Sequence, residues 1–246
     1  MKTGNIIKSF ILILLSLICV CLSACVDGER DEVRAGRSII EEYLSESQKG
    51  ARVTEINAHV LRPAADTLAL SGFVKGKFES GGEKYDFAVN TVTGDVYTSE
   101  RLPEFEESVY LLVCERLGID PDECVYSSLC SLHADSYYVD PETGDTHQAY
   151  LGEVIPVTAD IETLARESLS DPLHSVIIRI ACPQKYLTEE AISSYSAEGW
   201  EGTSVRLFGY EGAIPDKETF GMTTLSDFDG DTVLIEPGSV KFTGRK

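Results

Sequence analysis

Residues 85–98 read YDFAVNTVTGDVYT. Tyr85, Phe87 and Val89 recur with period two, which is the spacing of a half-buried strand. Thr93-Gly94-Asp95 is turn chemistry, and Val96 and Tyr97 open a second strand after it. The same pattern extends backwards along the chain. Leu68, Leu70, Gly72 and Val74 alternate, and Ser80-Gly81-Gly82-Glu83 forms a hairpin loop between that strand and Tyr85. Earlier still, Thr54, Ile56, Ala58 and Val60 alternate with Glu55, Asn57 and His59, and Pro63 to Asp66 supplies a turn. Four strands joined by short turns predict an antiparallel meander with one face in need of cover.

Two helices flank it. In Arg37–Gln48, Ile39, Ile40, Tyr43 and Leu44 share one face, Glu41, Glu42 and Glu46 oppose them, and Gly50 stops the run. In the second, Pro103 suits the first turn, and Glu104, Glu106 and Glu107 suit the positive end of the helix dipole. Phe105, Val109, Leu112, Val113 and Leu117 form its apolar stripe, and Gly118 is placed as the C-terminal cap. Residues 37–118 are therefore expected as one α+β domain of helix, four strands and helix.

The hairpin Tyr85–Thr98 resembles that of PepSY-type domains, in which a strand, a T-G-[DE] turn and a second strand pack on a helix. The resemblance covers about fourteen residues. It implies a small extracytoplasmic module of proteins linked to peptidase regulation or envelope processes, and it implies no catalytic residue.

Residues 119–152 read as an irregular linker or elaborated loop, with short strands at Ser127–Leu132 and Ser136–Val139 and a turn at Asp140–Asp145. Order resumes over 153–246. Val154–Val157 is a short strand, and Ile161, Leu164, Ala165 and Leu169 mark a helix ended by Asp171-Pro172. Val176 to Ala181 is apolar on both faces apart from Arg179, as in a central strand. Thr188 caps a helix running to about Tyr195. Val205–Phe208, Val233–Ile235 and Val240–Phe242 complete a second α+β unit. The expected fold class is α+β, with antiparallel sheet units packed with helices in two small domains.

The N-terminus has another character. Met1–Lys8 carries Lys2 and Lys8 and no acid, and Phe10–Leu22 is almost wholly apolar, as in a signal peptide. Leu22-Ser23-Ala24-Cys25 then resembles the lipobox of bacterial lipoproteins. That resemblance implies cleavage after Ala24, a diacylglyceryl group on the Cys25 thiol, and a chain held to the membrane by its lipid. Two or more acyl chains give stable anchoring. Residues 1–24 are then a signal peptide and 25–36 a tether. The competing reading is an uncleaved transmembrane helix, since Ser9–Val26 is uncharged and reaches the lower length of a span. Either way, Lys2 and Lys8 favour the cytoplasmic side and put the residues after Asp27 outside.

The chain has 246 residues and a net charge of -20. Losing Lys2 and Lys8 would deepen that charge. Such acidity opposes nucleic acid and anionic lipid headgroups as partners. A hydrophobic content of 43% supports a folded core. Of seven cysteines, Cys19, Cys21 and Cys25 belong to the signal and anchor. Cys124 and Cys130 flank a short segment at an expected loop and are the expected disulfide, whereas Cys114 and Cys182 are expected as small buried residues.

Motifs for chemistry are sparse. The sequence has no G-x-S-x-G elbow, no H-E-x-x-H and no glycine-rich phosphate loop after a strand. Asp227, Asp229 and Asp231 recur two residues apart, with Glu236 beyond. In an EF-hand count from Asp227, however, the sixth and twelfth positions are Thr232 and Gly238 instead of glycine and glutamate. A turn at Asp229-Gly230 explains the run better than a metal site. His59, His133, His147 and His174 fall in different elements. No catalytic residue, metal ligand or cofactor is expected. Trp200, between Gly199 and Gly202, reads either as a contact for a partner or as a residue tucked under its own loop. The expected function is a noncatalytic binding or regulatory module of the cell envelope. It would be held to the membrane by lipid and engage an envelope protein or ligand. The alternative is an envelope hydrolase with dispersed acidic residues.

Overall fold

Helices and two antiparallel-dominated sheets make up the chain, an α+β fold. The computed structural model describes residues 30–61, 69–139, 146–172, 174–212, 214–216, 220 and 230–243. Cys25 and the signal segment, the turn Pro63–Asp66, the turn Asp140–Asp145, and Asp227 and Asp229 lie outside the described residues. Two compact units emerge, Met1–Val96 with Ser136–Ala149, and Tyr97–Asp135 with Tyr150–Lys246.

In the first unit, helix α1 is described over residues 30–47. It buries Ile40 and Leu44, one turn apart on a single face. It also extends through 30–36, where the sequence suggested a tether. Arg34 and Arg37 bridge to Asp31 and Glu41 at helical spacing. Gly36 makes close contact possible, because a Cβ there would stand 2.7 Å from that of Val74. Strands β1 (Arg52–Leu61), β2 (Ala69–Ser80) and β3 (Glu83–Asn90) run antiparallel in that order. Gly81 and Gly82, at φ 61° and 92°, join Ser80 to its partner Glu83, as a two-residue turn with both central φ positive requires. Phe73, Val74, Phe78, Phe87, Ala88 and Val89 form the buried surface. After β3, the Asn90 side chain accepts hydrogen bonds from the backbone N–H groups of Val92 and Thr93. That closes the turn into β4 (Val96–Thr98).

The second unit starts with α2 (Leu102–Leu117), which Gly118 ends in the left-handed conformation at φ 64°. Strand β5 (Val125–Val139) belongs to it through Asp135 and β6 (Thr146–Gly152) from Tyr150, and β7 (Ile155–Pro156) pairs with β4 through Tyr97 and Thr98. Helix α3 (Ile161–Ser170), β8 (Ser175–Pro183), α4 (Glu189–Ser194), β9 (Thr203–Tyr210), β10 (Thr232–Glu236) and β11 (Ser239–Thr243) complete it. The sheet order is β11-β10-β9-β8-β5-β6. Strands β8 and β9 pair in parallel, whereas β5 with β8, β9 with β10 and β10 with β11 are antiparallel. The crossover that a parallel pair needs carries α4. Asp160 caps α3 and Thr188 caps α4, each accepting from a backbone N–H three residues on.

The structure corrects two expectations. Helix α2 belongs to the second unit, not to the meander before it. Phe105, Val109, Val113 and Leu117 share one buried cluster with Val176, Ile178 and Ile180 of β8 and Leu207 of β9. An apolar stripe announces that a helix will be covered, but not by which sheet. Residues 119–152 are likewise not a linker. They supply β5, which pairs with β8 from Val125↔Ala181 to Ser131↔Ser175. Serines and Cys130 blur its alternation, so the sequence shows only the short strands Ser127–Leu132 and Ser136–Val139 within it.

Candidate functional site

The chemistry-bearing side chains of the second unit gather where β5 begins, β8 ends and α2 lies over the sheet. Alternation along the strands puts Cys130, Val176, Ile178, Ile180 and Cys182 on the face that α2 and α3 cover, with Cys124 and Tyr126 packed against them. Cys114 comes down from α2. The Tyr110 and Tyr126 rings stack with centroids 4.2 Å apart, and the Tyr110 hydroxyl donates to the Pro121 carbonyl at 2.7 Å. At the rim, Glu123 accepts from the Tyr186 hydroxyl at 2.8 Å and pairs with Lys185 at 2.5 Å. The Lys185 and Tyr186 bonds hold the Glu123 carboxyl below its ordinary pKa. Tyr210 donates to the Glu123 carbonyl and Tyr195 to the Tyr186 carbonyl.

The thiols here are poor nucleophiles at neutral pH. Burial pushes Cys114, Cys124 and Cys130 up to about 12, and it raises Cys182 as well. A reactive cysteine needs the reverse, a thiolate held by a cation or a helix N-terminus. The four thiols are free, so the expected Cys124–Cys130 disulfide is not formed, and strand geometry explains why. The ladder runs on from Val125 through Cys130, so six extended residues separate the two by about 20 Å. A disulfide tolerates about 7 Å between Cα atoms.

Trp200 is not a surface contact. It is fully buried, its indole N–H donates to the Ser196 carbonyl at 2.8 Å, and the Arg116 guanidinium lies 4.6 Å from its ring centroid. Of its two sequence readings, the tucked one holds. Arg116 also donates to the Gly199 carbonyl at 2.7 Å, which ties the tryptophan loop to α2. Beside it, a groove of about 520 Å³ is lined by Leu112, Glu115, Arg116, Arg166, Leu169 and Ser170. Arg116 and Arg166 face Glu115 across it, and Arg166 is paired with Glu162 at 3.2 Å, so the groove is lined by arginines whose charge is balanced locally.

One pairing is invisible in the sequence. The Ser168 hydroxyl sits 2.9 Å from His174 Nδ1, where α3 gives way to β8. A serine beside a histidine is the start of a hydrolase constellation. This serine, however, is 0% exposed, and its own carbonyl accepts from the Thr203 hydroxyl. A nucleophile must meet its substrate, so the contact ties α3 to the sheet. Ser168→Ala is expected to cost about 1 kcal/mol through the lost hydrogen bond. A urea midpoint shifted by that amount would check this. The other histidines lie on β1 (His59), β5 (His133) and β6 (His147).

Asp231 is held in the fold. Its carboxylate accepts from the Gln184 amide, and its backbone carbonyl accepts from the Gly209 N–H at 2.9 Å. Among the described residues, no group of three or more His, Cys, Asp or Glu side chains is arranged to hold a metal ion. Among the same residues, no helix is long and apolar enough to cross a membrane.

Fold and site together define an α+β protein with a buried thiol–tyrosine cluster and an arginine-lined groove between two helices. No protein-family model, curated protein or solved structure matches the chain.

Proposed function

We propose that this protein is a lipid-anchored module on the outer side of the cell membrane, and that it acts by binding or regulating an envelope component, not by catalysis. The observation that carries the anchor is Leu22-Ser23-Ala24-Cys25 after an uncharged apolar run. Binding over catalysis is supported by the state of the chemistry-bearing groups: thiols raised by burial and a Ser168 hydroxyl sealed from solvent. The resemblance of Tyr85–Thr98 to PepSY-type hairpins points to the same setting. The groove beside Arg116 and Arg166 offers a concave surface where an acidic side chain or short peptide can take the place of Glu162 on Arg166.

Crosslinking in living cells tests this. A photo-crosslinking residue at position 166 is expected to capture a discrete envelope partner, whereas one at the exposed tip residue Val92 is not. Equal capture at both positions, or at neither, contradicts a role for the groove. Turnover of a cell-wall polymer by the purified protein contradicts the noncatalytic reading and restores the hydrolase alternative.

A further inference from the structure

We infer that Cys124 and Cys182 are a cross-strand disulfide pair, a redox staple that joins the start of β5 to the end of β8 when a disulfide oxidant reaches it. The register carries the inference. The antiparallel ladder reaches Val125↔Ala181, so one step further sets Cys124 opposite Cys182. Cys124 continues the strand, with φ -129° and ψ 161°. Directly opposed residues of an antiparallel pair have Cα atoms about 4.5–5.5 Å apart, inside the range a disulfide spans.

Side-chain direction agrees. Opposed residues project to the same face, and the preceding pair shows which. Ala181 is buried with Phe208 and Phe220 on one side of the sheet, with Val125 against it. Cys182 and Cys124 belong to the cluster on the other side, under α2. Electrostatics does not choose between them: Cys182 is raised by Cys124 ahead of Cys114, whereas Cys124 is raised by Cys114. Cys130, opposite Val176, is too far along the strand to compete. Cys114 is the competitor, since it touches the same cluster from α2.

Access sets the order of events. Cys124 is half-buried and Cys182 wholly buried. The Cys124 thiolate attacks a small disulfide such as oxidised glutathione, forming a mixed disulfide and releasing one thiolate. The Cys182 thiolate then attacks the Cys124 sulfur and expels the second. Two protein thiols lose two hydrogens, and one small disulfide becomes two thiols. With both thiols raised by burial, the exchange is slow near neutrality and faster in mild alkali. The bond closes a loop that holds all of β5, β6, β7 and α3, and long loops lose the most freedom when closed. Formation of the staple does not depend on the lipid anchor.

The test uses the full chain purified in detergent, incubated to plateau with oxidised glutathione at about pH 8.5, where the small thiolate fraction exceeds that at neutrality, then digested and mapped by mass spectrometry. The expected product is a peptide pair joined through Cys124 and Cys182, with a melting temperature raised by about 5–10 °C over the reduced protein. Cys114→Ser is expected to keep both the linkage and the shift, and Cys182→Ala to stop at the mixed disulfide on Cys124. A Cys114–Cys124 linkage at the reaction plateau would overturn the inference. So would Cys124 and Cys182 remaining unlinked while the urea-unfolded chain oxidises fully.

Discussion

Trp200→Ala is expected to destabilise the second unit by about 3–5 kcal/mol, the range for truncating a large aromatic in a packed core. Trp200 is fully buried, its indole N–H is bonded, and its face carries the Arg116 guanidinium. Truncation therefore leaves a cavity, an unpaired Ser196 carbonyl and an arginine without its platform. Trp200→Phe keeps most of the packing and loses the hydrogen bond, for about 1 kcal/mol. Trp200 is the sole tryptophan, so its own fluorescence reports on the unmodified protein. It should emit to the blue and resist quenching by acrylamide. Variants need circular dichroism during urea unfolding. A Trp200→Ala cost near zero, or free quenching, would mean that the side chain stands in solvent and would restore Trp200 as a candidate partner contact.

The second large effect is at Gly202. A Cβ there would lie 2.2 Å from the Asp171 carbonyl oxygen and 2.4 Å from that of Ser168. Both are backbone atoms at the end of α3, and Gly202 is itself tied to Leu169 and Val176 by backbone hydrogen bonds. Neither side can yield without parting α3 from the sheet. Gly202→Ala is accordingly expected to cost about 3–5 kcal/mol, unusually much for one methyl group. Gly238 provides the comparison. It has φ 71°, but a Cβ there would have nothing within 4 Å. Gly238→Ala should therefore cost only the conformational penalty, about 1–2 kcal/mol. Urea unfolding of both variants checks the contrast. Similar costs at the two glycines would mean that α3 sits more loosely on the sheet than these distances require.

These two sites also show how far sequence reaches. Gly81-Gly82 announced its hairpin, Pro103 and Gly118 bounded α2, Thr188 capped α4, and the apolar run Val176–Ala181 lay within a sheet, as local chemistry requires. What stayed hidden was non-local. Nothing in the stripe of α2 names β8 and β9 as its partners, and Gly202 looks like any loop glycine until α3 lies against it. Strand β5 shows in the sequence only as two short strands, Ser127–Leu132 and Ser136–Val139, because Ser127, Ser128, Cys130 and Ser131 blur its period. With its start at Val125 unread, Cys124 and Cys130 look like loop neighbours, whereas extended backbone holds them apart. The pairing of Cys124 with Cys182 is a property of register, which no local pattern encodes. The proposed anchor differs in kind: its signal is entirely local, in four residues and the apolar run before them.

The proposed lipid anchor is tested most directly by the mass of the protein extracted from membranes. The expected result is a chain that begins at Cys25 and carries acyl groups there, with Cys25→Ser abolishing the lipid and leaving the fold of α1 onward unchanged. An intact Met1 with an unmodified Cys25 thiol would contradict it.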